Sequence, residues 1–156
     1  MKKILVIGLL AMIFPTVSTV MAKGHDDENR DPNIAYRVKI MRSIGANMGS
    51  IGDILKNKLP FPGHIANHAR SIEISGKMVA AAFEKKVLDK KSTSKPNIWE
   101  DFSKFKKASD AMVTEAAALA TIADGGDMKA VFGQMKKLGG TCKDCHKEFR
   151  KKKEKK

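Results

Sequence analysis

Two apolar stripes with the same rhythm lie near opposite ends of the chain. The first reads Arg37, Met41, Ile44, Met48, Ile51, Leu55, stepping alternately by four and three residues. That spacing keeps returning to one face of an α-helix, which turns once in about 3.6 residues. The other stripe reads Val131, Met135, Leu138, Cys142, Cys145, Phe149 and steps in the same way. Two further periodic segments lie between them. One runs from His64 to about Asp89 with Ile65, His68, Ile72, Val79 and Phe83 on one side. Its successor carries Ile98, Phe102, Phe105, Met112 and Leu119, with the lone tryptophan, Trp99, at its start. The boundaries carry helix punctuation. Asp31 and Asp127 suit N-caps, Pro32 and Pro96 suit first turns, and Ser94 is a candidate cap before Pro96. Lys58-Leu59-Pro60-Phe61-Pro62-Gly63 ends the first helix, a basic, serine-containing connector covers Lys90 to Lys95, and Asp124-Gly125-Gly126 ends the third helix. No segment alternates as a strand would. The pattern predicts an all-α protein, an antiparallel four-helix bundle over residues 34–150.

The last stripe also carries the candidate chemistry, in Cys142-Lys143-Asp144-Cys145-His146. Two thiols three positions apart, with histidine next, are what covalent haem attachment needs. Each sulfur can form a thioether with one vinyl group, and the adjacent imidazole can reach the iron. A redox dithiol would call for a βαβ context, which is missing, and a structural zinc site would call for a second ligand pair. These are the chain's only two cysteines. Both occupy seam positions, so the haem is expected between helices and not on an edge loop. Gly139 and Gly140 would let its plane approach the backbone, as would Gly45 and Gly52 on the first helix.

The start of the chain bears on where this chemistry happens. Lys2 and Lys3 precede an apolar run from Ile4 to Val17 that contains Pro15, and Val20-Met21-Ala22 offers small residues for cleavage. Residues 1–22 therefore read as a cleaved secretory signal, too short and wrongly flanked for a membrane span. Residues 23–33 read as a flexible lead-in and residues 151–156 as a basic tail. Export together with haem attachment points to a bacterial periplasm, and no later stretch is apolar enough to be transmembrane. The chain holds 30 Lys and Arg against 17 Asp and Glu, a formal net charge of +13. The signal contains two of those lysines and no acid, so the excess outlasts cleavage. It favours anionic partners. Nucleic acid fits poorly, with 6% aromatic residues, export and no recognition motif.

With these features in place, the chain resembles the cytochrome c′ family, class II c-type cytochromes that include low-spin methionine-ligated relatives. The resemblance spans nearly all of the chain after the signal. It is carried by Cys142-Lys143-Asp144-Cys145-His146-Lys147-Glu148-Phe149-Arg150, by Tyr36-Arg37-Val38-Lys39-Ile40-Met41, by Gly45-Ala46-Asn47-Met48 and by Lys95-Pro96-Asn97-Ile98-Trp99. The haem motif in the last of four helices is its most specific part. The resemblance implies one haem c per chain, bound covalently by Cys142 and Cys145, with His146 as proximal iron ligand. It places Arg150 beside the proximal imidazole, Arg37 against haem or its propionates, and Met41 on the distal side. Met41 is a haem contact and a candidate distal ligand. In part of the family the distal side is apolar and gases enter, and in the low-spin relatives a methionine binds iron. A homodimer through the first two helices is also implied.

Two functions follow. One is electron transfer with redox partner proteins not identified by sequence; the other is capture of a diatomic gas, nitric oxide or carbon monoxide, at a five-coordinate iron. Neither needs a catalytic acid, base or nucleophile, so the chain is not expected to be an enzyme. The remaining candidates read more plainly. Met48, Met112 and Met135 are core filler. His64 and His68 stand four apart but lack a third metal ligand, and His25 lies in the lead-in. The cations from Lys147 to Lys156 suit a helix C-terminus and also an anionic docking partner.

Overall fold

The computed structural model describes residues 30–152. The signal segment, most of the lead-in and the last four residues of the tail lie outside them. Helix α1 spans Pro32–Lys56, α2 His64–Lys77, α3 Val79–Phe83, α4 Asn97–Glu100, α5 Phe102–Asp124 and α6 Met128–Phe149. The four long helices form an antiparallel bundle, with α3 and α4 as short pieces at one end. Among the described residues the only extended pairing is an isolated bridge between Ser94 and Arg150. No helix there is long and apolar enough to cross a membrane.

The aspartates do the capping that their positions predict. The Asp31 carboxylate accepts from the Asn33 amide at 2.8 Å, and Asp127 accepts from the Ala130 amide at 3.0 Å. The third helix departs from the expected outline. It does not run on from Pro96, because Asp101 breaks it with φ −134° and ψ 73° and caps α5 by accepting from the Lys104 amide at 2.9 Å. Ser94 caps nothing; its own amide donates to the Ser92 hydroxyl at 3.3 Å. The second helix breaks at Met78 and stops at Phe83, short of the expected Asp89.

Arg37 supplies the reason for that early stop. Its Nε donates to the Ala82 carbonyl at 2.8 Å, Nη1 to Val87 at 2.9 Å and Nη2 to Lys85 at 2.5 Å. Carbonyls that a continuing helix would have used are turned toward the guanidinium instead. The group is only 3% exposed. It stacks 4.6 Å from the Phe83 ring centroid and 5.4 Å from that of Trp99. Burial lowers its pKa and Asp31 partly offsets this, but a guanidinium stays charged in proteins. Arg37→Met would leave three carbonyls without their charged donor. Hydrogen bonds to charged groups contribute about 1.5–3 kcal/mol each without adding fully, so a loss of ~3–5 kcal/mol is expected. Urea unfolding checks this, and hydrogen exchange should show residues 84–96 losing protection first.

Packing follows chain order around the bundle: α1 on α2, α2 on α5, α5 on α6. The α2–α5 contact is the tightest at Gly76, where a Cβ would meet Val113 Cγ2 at 2.8 Å. Ile51, Ile65, Ile72, Leu119, Val131 and Leu138 are fully buried between the four long helices. The fourth side, between α6 and α1, lacks a comparable approach of backbones.

Candidate haem site

That open side is where the two stripes meet the candidate chemistry. On α6 the upper positions Val131 and Leu138 are sealed, whereas Met135, Cys142 and Cys145 pack against the core only partly buried. On α1 the same holds: Ile44 and Ile51 are sealed, and Met41, Met48 and Leu55 are partly buried. These half-covered apolar side chains still have surface that a bound apolar group could cover. The glycines agree. Gly52, Gly139 and Gly140 are half-buried, yet a Cβ at any of them would meet nothing within 4 Å. The partly buried apolar positions therefore run along both helices, and on α6 they include the two thiols.

The donor set suits a c-type haem. Cys142 and Cys145 are both free thiols. Burial raises the pKa of each, and Cys145, with Cys142 beside it, is pushed up to about 11. Buried thiols held protonated in an apolar seam are poor zinc ligands and poor redox nucleophiles, which leaves covalent attachment of a haem as the chemistry their spacing suits. His146 follows directly but is exposed. Flanking protein and then the Arg150 charge lower its pKa, which favours the neutral imidazole that binds iron. Cys142, Cys145 and His146 would hold the haem, and Met41 packs on α1 against the same core cluster as the two thiols. Among the described residues no cluster of three or more His, Cys, Asp or Glu could hold a metal ion by itself.

Arg37 has partners in the connector that the resemblance does not imply. Three of the five guanidinium N–H groups are committed to the connector, so any contact with haem would use the other two. Its first duty here is to fasten residues 82–87. His68 is likewise occupied, with Nδ1 2.8 Å from Asn47 Oδ1, and His64 stacks on Phe61 at 5.2 Å.

Lys95 was not singled out individually by the sequence pattern, yet it secures the end of α6. Its Nζ donates to the Lys147 carbonyl at 3.0 Å and to Glu148 at 2.9 Å, and its amide donates to Phe149 at 2.9 Å. The Lys151 amide returns to the Thr93 carbonyl at 2.7 Å. A cation at a helix C-terminus satisfies carbonyls that have no intrahelical donor. Gln134 was missed as well. It is buried on α6 and donates to the Glu115 carbonyl at 3.1 Å and to its carboxylate at 2.5 Å. Only its partner across the bundle makes a glutamine tolerable there.

A helical bundle with a haem-attachment pentapeptide at the end of its last helix defines a class: bundle-type c cytochromes. The family model described as Cytochrome C′ matches residues 32–150, and the chain belongs to that family. It is 34% identical to a cytochrome c′ of Rhodospirillum rubrum, over 96% of this chain and 99% of that protein. It is also 34% identical to a cytochrome c-556 of Agrobacterium tumefaciens strain B2A, over 77% of this chain and 98% of that one. Among solved structures, cytochrome c′ of Shewanella frigidimarina superposes with a TM-score of 0.71 at 27% identity, covering 77% of this chain and 94% of that one. A nitric oxide complex of a cytochrome c′ variant from Alcaligenes xylosoxidans superposes at 0.70 with 24% identity, covering 78% and 94%. That likeness carries the fold alone.

Proposed function

We propose that the protein is a periplasmic electron carrier with one covalent haem c per chain, His146 as proximal ligand and no catalytic activity of its own. The observation that supports this best is the position of the attachment motif. The thiols sit in the apolar seam while His146 reaches the surface at the same end. An electron can thus enter or leave near solvent while the iron's surroundings stay apolar. When bound, the haem supplies a one-electron ferric–ferrous couple. The chain's part is to tether it through Cys142 and Cys145, orient it through His146, and exclude water with the α1 and α6 seams.

Difference spectroscopy on respiring cells tests the reading. The haem band should become reduced on adding a respiratory donor and oxidised on adding an acceptor. A band that ignores both additions and shifts only with carbon monoxide or nitric oxide would overturn electron transfer.

That second outcome matches another reading, capture of a diatomic gas at five-coordinate iron. It is favoured by Met41, whose side chain packs against the apolar cluster rather than standing free. The Alcaligenes structure holds nitric oxide in that protein; for this chain, gas binding rests on Met41 and on the family.

A further inference from the structure

The end of the bundle that carries His146 is more basic than either of the segments that build it. His146 lies in a recess of about 360 Å³ whose other walls are Lys143, Lys147, Arg150, Lys151 and Lys152. All six residues are exposed. Among the described residues the wall contains no carboxylate. Glu148, on the last turn, is not part of the wall; it pairs with Lys104 at 2.8 Å, and Lys95 and Lys147 also act on its charge. Asp144 lies on the same helix outside the wall. The connector brings Lys90 and Lys91 to the same end, accompanied by Asp89, because residues 92–95 run alongside 149–151. The Lys151 ammonium further ties the two segments by donating to the Ser92 carbonyl at 3.2 Å. The cations are thus presented on a laced scaffold and not on a loose tail.

Gathering like charges costs free energy. Two unit charges about 4 Å apart interact by ~1 kcal/mol even in water, and screening at physiological salt acts over about 8 Å. The covalent haem carries two propionates, which can neutralise at most two of the five cations in the wall. The α6 C-terminus and the Ser92 carbonyl offset part of the remainder, and an anion from outside would relieve the rest. Five exposed cations around one small recess match a compact cluster of carboxylates in both charge and size.

We propose that this recess is the docking surface for an acidic redox protein. The inference rests on the electron-transfer reading: one electron crosses per encounter, the haem passing from ferrous to ferric as the partner's one-electron centre is reduced, or the reverse. Charge complementarity of this kind speeds encounter and fixes orientation more than it tightens binding, as a carrier that must release its partner requires.

The test uses the ferric holoprotein and a hexaglutamate peptide as probe, followed by NMR shifts at low salt. Shifts should centre on residues 143–152 and 90–91. Lys147→Glu with Lys152→Glu should weaken binding about tenfold or more, and raising salt should do the same to the wild type. The same charge change at the other end of the bundle, Lys56→Glu with Lys129→Glu, should weaken binding far less. Equal loss from both pairs would reduce the effect to net charge and overturn the proposal. So would binding to phosphatidylglycerol vesicles without binding to the peptide, which would make the recess a membrane contact. The two readings fail separately: absence of peptide binding with redox cycling intact in cells removes the docking surface and leaves the carrier. Peptide binding without redox cycling does the opposite.

Discussion

Replacing both cysteines, Cys142→Ala with Cys145→Ala, is expected to yield a chain from which acid–acetone removes all haem. The unsubstituted protein should keep its haem through the same extraction. If haem leaves the unsubstituted protein freely, the attachment assignment is wrong. The consequence for the fold should be as large as that for the chemistry. Met41, Met48, Met135, Cys142 and Cys145 pack against the core but stay half-covered, because α1 and α6 do not approach each other closely. Without a tethered cofactor the α1–α6 side is either a void or a wet apolar cleft. Empty volume in a core costs roughly 24 cal/mol per Å³, so ~150 Å³ unfilled costs about 3–4 kcal/mol. A domain of this size is held by only ~5–15 kcal/mol. The haem-free variant should therefore melt at least ~10 °C lower, with a broader transition followed by circular dichroism. Melting as sharp and as high as that of the holoprotein would show that α1 and α6 close on each other unaided.

The second large effect is expected at Met41, which separates the two functional readings. The residue lies one turn from Arg37 on α1 and packs against the buried cluster that Cys142 and Cys145 also touch. We expect the ferric wild type to be high-spin already. Met41→Ala should leave the spin state unchanged and speed carbon monoxide binding to the ferrous form by about tenfold, equivalent to removing ~1.4 kcal/mol of steric barrier. The reason is packing: a thioether engaged with apolar neighbours gives the distal side an apolar wall without any bond to iron. The contrary result is equally distinct. A low-spin wild type with a weak band at about 700 nm, lost in the variant, would make Met41 the sixth ligand. Gas capture would then give way to electron transfer alone. Optical spectra of both oxidation states, with and without carbon monoxide, decide it.

Much of this protein could be read from spacing. The steps of four and three on α1 and α6 place Met41, Met48, Met135, Cys142 and Cys145 on inward faces, and all five are half-buried against the core. Helical periodicity is local geometry, so no tertiary information is needed to predict it. The aspartate caps were legible for the same reason, since the bonds of Asp31 and Asp127 stay within three residues. The haem motif needed even less, because its five residues are contiguous.

What spacing could not supply were interactions between distant segments. Arg37 stood out as the one charge in an apolar stripe, but its carbonyl partners lie 45 to 50 residues away. Local propensity from His64 onward favours helix through that region, and the guanidinium's hold on residues 82–87 ends it at Phe83. The break at Asp101 escaped in a similar way, because Phe102 and Ile98 continue the apolar period straight across it. The recess beside His146 is also a tertiary product. Read along the chain, its cations are an ordinary helix end. Only when Lys95 and Lys151 stitch the connector to α6 do charges some fifty residues apart share one surface. Periodicity and caps are decided within a few residues. Charge surfaces and the fate of a buried cation depend on which segments pack together, and that depends on the whole fold.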